Sequence, residues 1–498
     1  MHLVTDLSDE SVKTLLLPSA IDSVGITTQP LLNAPSIVVL PFINLSADPE
    51  NEYFCDELAG ELIIKLSKIK GLKVAARASA FRFKEENVSL SEIGHILGVN
   101  SVLVGWVFKV SDHLRITVEL DSVLNNYCLW SEKYDQQMKS IFDVLDEITL
   151  AIVEALKVHL PIEDRAALKR YTDNSDVYKL YLEGRYHFHK HTSEGWLKAI
   201  EYFEKAIEIE PEYALAHAGL SSVLAFPWFF GFIPPQEVIP KWKAATDRAL
   251  GIDGNLDEAH VALAQIHFFY EWNWEEAEQE YKRAIELSPN NAFAHQQYGL
   301  FLAIRGRPEQ AISEGRRAVE LDRLSLFAHY QLGWVYFWIN RYDDALGYAQ
   351  LVIEMEPDFH GGYFMLGATS LVKGEYQEAF RVLEQSVALG GGHHIHSVLG
   401  HAYGMSGKQD EALDVLNQLL ETRTRYYVCA MDIARIYIGL GENDKAFEWL
   451  EKAYEERNGE MVYIKLESRL PAGEQLLWRK DVCTDPRFLN LLQRVGVS

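Results

Sequence analysis

The sequence predicts a small mixed α/β domain followed by a long all-α solenoid. Three observations predict it. An apolar-faced helical segment recurs about every 34 residues through the second half. The stretch before it alternates short apolar strands with helices. The whole 498-residue chain is 48% hydrophobic and 24% charged, a folded globular composition and not that of a disordered polymer.

The solenoid rests on register. A segment of the form Ala-x-x-x-(aromatic or Leu)-x-x-Ala places its first member at Ala199, Trp242, Ala277, Ala311, Ala345, Ala379, Ala412 and Ala446. The steps are 43, 35, 34, 34, 34, 33 and 34 residues. Twelve to fifteen residues upstream (21 in the second repeat) lies a column of small residues: Gly184, Ser221, Ala264, Gly299, Gly333, Gly367, Gly400 and Ala434. Downstream, Pro211, Gly254, Pro289, Pro357 and Gly391 close the second helix, while Arg323, Thr424 and Asn458 depart from that rule. Two helices of a dozen residues cannot bury an apolar stripe alone, so they pair as a hairpin and stack on the next. Small residues let the backbones approach where the helices cross. Matches such as Leu332-Gly333, Tyr336 and Ala345, or Leu399-Gly400, Tyr403 and Ala412, resemble the tetratricopeptide repeat (TPR). The expectation is a TPR superhelix of about eight helical hairpins over residues 175–465, with residues 466–498 as C-terminal capping helices. The 43-residue step carries the aromatic insertion 225–235, expected as a loop folded over neighbouring helices or a partner-binding lip.

Residues 35–160 read differently. Ser36–Leu40 is an apolar run bounded by Pro35 and Pro41, a buried strand. Asp56–Ile69 is a helix closed by Gly71, Leu72–Ala76 a strand, and Ser91–Leu97 a short helix capped by Ser89 or Ser91. Val102–Val110 and Leu114–Val123 form a hairpin, Tyr127–Tyr134 a further strand, and Ile141–Leu160 a closing amphipathic helix. Residues 1–34 are expected as a flexible leader and 161–174 as a linker.

Specific motifs accompany that order. Val39-Leu-Pro-Phe-Ile-Asn-Leu-Ser-Ala-Asp-Pro-Glu-Asn-Glu-Tyr-Phe54, Arg77-Ala-Ser79, Leu97-Gly-Val99 and Leu129-Trp-Ser-Glu-Lys-Tyr-Asp135 resemble the TolB-like amino-terminal domain. In many bacterial proteins that domain precedes a TPR array, behind a winged-helix, cyclase or kinase effector. With only 34 residues in front of it here, the resemblance implies an effector on another chain.

Acids outnumber bases 72 to 47, for a formal charge of −25. Such a body repels phosphate backbones and anionic lipid, so nucleic-acid binding by the chain itself is not expected. No apolar stretch approaches the ~20 residues of a membrane span. Four cysteines, each more than fifty residues from the next, suggest neither disulfides nor zinc and predict a protein of the reducing cytoplasm.

Catalytic signatures do not appear: no GxxxxGK[ST], HExxH, GxSxG or kinase loop. No enzyme activity, catalytic residue or cofactor is expected. His187, His189 and His191, and again His393, His394 and His396, are dense clusters without a neighbouring Cys or patterned carboxylate. No metal site is expected at either. The strongest candidate site is the inner surface lined by the first helix of each hairpin. Repeat five places Phe327, Tyr330, Trp334, Phe337 and Trp338 there, with Phe268, Phe269, Phe293 and Phe364 from its neighbours. An aromatic groove of this kind suits a protein or peptide partner held by a few anchors. The expected function is therefore a non-catalytic interaction scaffold. Its alternative is the regulatory or sensor module of a bacterial signalling or transcription-control system.

Overall fold

The computed structural model describes residues 35–158, 172, 174–190, 192–229, 233–468 and 478–497, apart from positions 85, 87, 112, 126 and 138–140. The predicted leader, most of the predicted linker, and His191 lie outside the described residues.

The amino-terminal part is built on one mixed sheet of β1 (Ser36–Val39), β2 (Ile43–Asn44), β3 (Lys73–Val74), β4 (Ser101–Val110), β5 (His113–Ser122) and β6 (Cys128–Gln137). The strand order is β3-β1-β4-β5-β6, with β2 beside β4. β3, β1 and β4 run parallel, whereas β4, β5 and β6 run antiparallel. All four residues of β1 are buried, as a continuous apolar run at the centre of a parallel set requires. The helices are α1 (Glu52–Ser67), α2 (Arg77–Phe81), α3 (Leu90–Leu97) and α4 (Ile141–Ala155). Ser89 and Glu92 cap α3 reciprocally, and Gly98 ends it at φ +64°, a conformation a glycine adopts without a Cβ penalty. The antiparallel edge β6 is mostly exposed and is blunted by charge: Arg115 of β5 pairs with Asp135 of β6 at 2.6 Å.

Among the described residues after 174, every regular element is a helix. Consecutive helices pair as α5 (Ser175–Phe188) with α6 (Ser193–Ile209), α7 (Ala214–Phe229) with α8 (Pro235–Ile252), and α9 (Asp257–Gln265) with α10 (Trp274–Leu287). The same pattern continues through α11 (Ala292–Ile304) and α12 (Pro308–Leu321), then α13 (Leu326–Trp338) and α14 (Tyr342–Met355). It ends with α15 (His360–Val372) and α16 (Tyr376–Ala388), α17 (His393–Met405) and α18 (Gln409–Arg423), and α19 (Ala430–Leu440) and α20 (Asn443–Glu455). This is a TPR-like solenoid. The small column has the expected cause: a Cβ on Gly333 would lie 2.5 Å from Met365 Sδ of the next hairpin.

Two features depart from expectation. The aromatic insertion is not simply a loop, because its first half, through Phe229, extends α7 and Pro235 opens α8; residues 230–232 lie outside the description. Proline suits that second position, since a first-turn N–H has no intrahelical partner. The elements of the tail begin before residue 466. A 3-10 turn (Gly459–Tyr463), α21 (Ile464–Glu467), α22 (Lys480–Cys483) and α23 (Pro486–Val495) follow the last hairpin.

The sheet domain is docked on the solenoid at two places. Its core continues into α5, α6 and the middle of α7, so that Tyr178, Tyr181 and Phe203 pack with Leu58 and Leu62 in one cluster. Further along, the turns between hairpins meet the sheet. Asp322 accepts hydrogen bonds from the Ser79 amide (3.0 Å) and hydroxyl (2.5 Å), and Asn290 donates to the Leu72 carbonyl at 2.7 Å.

Candidate functional site

The aromatic residues of the inner helices form a connected ladder. Phe327 meets Phe359 edge-on at 5.7 Å, and Phe359 meets Tyr330 at 5.3 Å. Tyr330 stands perpendicular to Trp334 at 6.0 Å, and Trp334 stacks on Trp338 at 5.8 Å. Phe337 and Phe364 flank Trp334 at 5.1 and 5.2 Å. Residues four apart on α13 share a face, which is why Tyr330, Trp334 and Trp338 align. Phe268 and Phe269 lie elsewhere in the interior. They belong to a π-helical turn (Ile266–Glu271) that ends α9, and Phe268 packs against Phe301 and Trp274. Phe293 makes no part of the ladder and is exposed.

The expected open groove is largely filled. Phe268, Phe269, Trp334, Phe337 and Phe364 are buried; Tyr330 and Trp338 are half-buried; Phe293 and Phe327 are 39% and 36% exposed. The reason is that the superhelix closes on itself. Tyr463, from the 3-10 turn, stacks on Trp338 at 5.1 Å. Trp272 packs against Tyr454 at 5.1 Å, and the Arg457 guanidinium lies 4.3 Å over the Trp272 ring. Trp274 donates its indole N–H to the Val495 carbonyl of α23 at 3.3 Å. The last hairpin and the segments after it therefore reach back to the third and fifth hairpins. Sequence periodicity shows which residues share a stripe, but not that 125 residues after Trp338 the chain returns to cover it.

Beside the ladder is a charged cluster no local spacing reveals. Phe364 packs edge-on against His394 at 5.1 Å. His394 Nδ1 lies 2.9 Å from a Glu460 carboxylate oxygen and 3.5 Å from Asp432 Oδ1. Arg435, 3% exposed, donates to Asp432 (3.2 Å), Glu460 (2.9 Å), Glu467 (3.0 Å) and the Ser397 hydroxyl (2.9 Å). Ser397 in turn donates to Asp432 at 2.9 Å. Burial opposes the charge on His394, yet Glu460 and Asp432 outweigh it and lift the imidazole to about 9. Burial likewise opposes the charge on Glu460, and His394 and Arg435 overcome it to hold the carboxyl at about 2. The partners of His394 lie 38 and 66 positions away in sequence. Among the described residues, the one grouping of His with carboxylates close enough to share a metal is at His394, whereas His187 stacks on Tyr202.

A second buried network sits where the sheet domain meets the first hairpin. Glu57 is paired with Arg77 at 2.6 Å, and Arg185 donates to Glu258 at 2.9 Å. Burial pushes the Glu57 and Glu61 carboxyls upward against the pull of Arg77 and Arg185.

Comparisons with known proteins agree with the helical architecture. Family models described as tetratricopeptide repeat match residues 197–213, 280–313 and 429–458. Putative adenylate cyclase 3 of Rhizobium meliloti (strain 1021) is 34% identical over 242 residues, 46% of this chain. The chain spans 40% of that relative's length. Among solved structures, a human IFIT1 dimer with PPP-AAAA is similar over 64% of this chain and 83% of its own, at 15% identity and a TM-score of 0.45. Pseudomonas aeruginosa pilF is similar over 46% of this chain and 99% of its own, at 19% identity and a TM-score of 0.33. Proteins with such repeats generally mediate protein–protein interaction, and among the described residues no helix is long and apolar enough to cross a membrane. The chain carries tetratricopeptide repeats.

Proposed function

We propose that this chain is a non-catalytic interaction scaffold of the bacterial cytoplasm, binding a protein or peptide at the inner aromatic face of its repeats. We read the paired helices as eight TPR hairpins and residues 35–160 as a TolB-like domain docked on the first of them. One observation carries the reading: an aromatic ladder that begins in solvent at Phe327 and runs inward to Trp338, where an aromatic side chain from a turn, Tyr463, is already seated. The face thus takes aromatic side chains presented by a short segment, and Phe293 and Phe327 are the anchors left at its rim.

The test uses the intact chain as bait, with bound proteins identified by mass spectrometry and their affinity measured by calorimetry. Replacing Phe293 and Phe327 by Ala is expected to weaken the partner at least tenfold while leaving the melting temperature within a degree or two. A partner set bound equally well by the double variant removes the reading.

The second reading, a regulatory module whose effector is on another chain, is favoured by the likeness to a putative adenylate cyclase. It predicts that the partner recovered carries a cyclase, kinase or winged-helix domain.

A further inference from the structure

The charged cluster at the closure has the makings of a ligand set. His394 comes from the first turn of α17, Asp432 from the first turn of α19, and Glu460 from the 3-10 turn. One ligand atom from each lies within 4.8 Å of the other two. A tetrahedral ion with bonds of ~2.0–2.2 Å needs neighbouring ligand atoms about 3.3 Å apart. The separations from His394 Nδ1, 2.9 Å to Glu460 and 3.5 Å to Asp432, bracket that value.

We propose that His394, Asp432 and Glu460 form a binding site for a divalent transition-metal cation of the zinc class, which fastens the carboxyl-terminal turn to the inner helices.

Three further observations support it. The first is charge. With His394 protonated, the cluster holds two positive groups, His394 and Arg435, against three carboxylates, Asp432, Glu460 and Glu467, and is left one negative charge over. A divalent ion on a neutral His394, with Arg435, balances the three carboxylates. The second is orientation. Ser397 and Arg435 donate to Asp432 Oδ1, the oxygen 3.5 Å from His394 Nδ1, and Arg435 Nη1 lies 3.4 Å from that nitrogen. Arg435 grips Glu460 through Oε2, leaving Oε1 turned toward His394. Such outer hydrogen bonds fix the ligands of metal sites. The third is access: the side chains of His394 and Glu460 are 37% and 26% exposed, so an ion can enter and keep a water as fourth ligand. The donor set, one imidazole and two carboxylates, suits Zn²⁺ or Mn²⁺ over copper(I), which prefers sulfur.

Binding is a proton exchange: the ion takes the Nδ1 lone pair and one proton leaves His394 for solvent. Other charged and polar groups surround the same space. They are His393 and His396 on α17, Cys429 and Arg435 on α19, and Tyr463 and Glu467 on the carboxyl-terminal turn. Arg435 opposes the cation, whereas Glu467, bonded to Arg435 and to the Trp478 indole, offsets it.

Isothermal titration of the intact chain with ZnSO4, in buffers of different ionisation enthalpy, tests the site. One ion per chain is expected, with net release of protons on binding. The isosteric Glu460→Gln, which keeps an oxygen for Arg435, should weaken binding at least tenfold, and His394→Gln should do the same. His187→Ala with His189→Ala, at the other histidine cluster, should leave the 1:1 step unchanged. Absence of a saturable 1:1 step up to about 100 μM Zn²⁺ in the wild-type chain overturns the proposal. So does a step that survives Glu460→Gln, or one that the His187 and His189 changes abolish.

Discussion

A buried arginine lies near each end of the solenoid, Arg185 beside the sheet domain and Arg435 beside the carboxyl-terminal turn, and their surroundings behave in opposite ways. At the amino-terminal joint Arg185 reaches one acid, Glu258, whose side chain is 34% exposed, while Glu57 and Glu61 sit nearby with carboxyls pushed up by burial. At the carboxyl-terminal joint Arg435 bonds three acids at once, and Glu460 is held low, at about 2. The lesson is that burial alone does not set the character of a charged interface. The number of donors reaching each carboxylate decides whether desolvation or pairing wins.

The sharpest way to break the comparison is to delete each arginine. Arg435→Met leaves three carboxylates with little to replace its donors and is expected to cost about 3–5 kcal/mol of stability in urea unfolding at pH 7. Arg185→Met frees an acid that water can reach again, so its cost should be smaller, about 1–2 kcal/mol. Equal losses would show that the two joints are energetically alike.

A second experiment asks whether aromatic packing, apart from charge, holds the carboxyl-terminal joint. Trp334→Ala removes a side chain only 8% exposed and should cost about 3 kcal/mol. Trp338→Ala, half-buried and stacked on Tyr463, should cost less, yet should raise protease cleavage within residues 456–468. A Trp334→Ala chain of unchanged melting temperature would place that residue on an open groove.

The smallest effect is the pH response, and its sign separates the joints. Glu57 and Glu61 bind protons more tightly when folded, so their contribution is greatest in acid and is lost as pH rises past the ordinary carboxylate range. Glu460 contributes above its unfolded pKa of about 4.5 and loses that contribution as pH falls toward 2. His394, raised to about 9, contributes fully below about 6.5 and loses it as pH climbs through 9. Hydrogen exchange corrected for intrinsic rates should therefore show α19 and the carboxyl-terminal turn loosening first both below pH 4 and above pH 8. Parallel loosening of α1 and α5 in acid would contradict the assignment.

Much of this architecture is legible in the sequence, because it is local. The repeat period, the capped helix at Ser89 and the β4–β5 hairpin all follow from neighbours within a few residues. The inner stripe of Tyr330, Trp334 and Trp338 follows from helical spacing. Its burial does not, since that depends on Tyr463, which stacks on Trp338 from 125 positions away. His394 reads as isolated in the sequence for the same reason: no carboxylate lies beside it. The aromatic insertion was legible as an irregularity but not as longer helices, because Pro227 and Pro235 read as breakers until their positions within a helix are known.

An open row of hairpins behaves like a coiled spring: each turn holds only its neighbours, and either end can unwind while the middle stays wound. Fastening α23 to Trp274 and Tyr463 to Trp338 turns the later part of the spring into a hoop. A hoop has no loose end to start from. Pulled from the carboxyl terminus, the chain should therefore resist until the clasp gives, and then release many turns together in one large step.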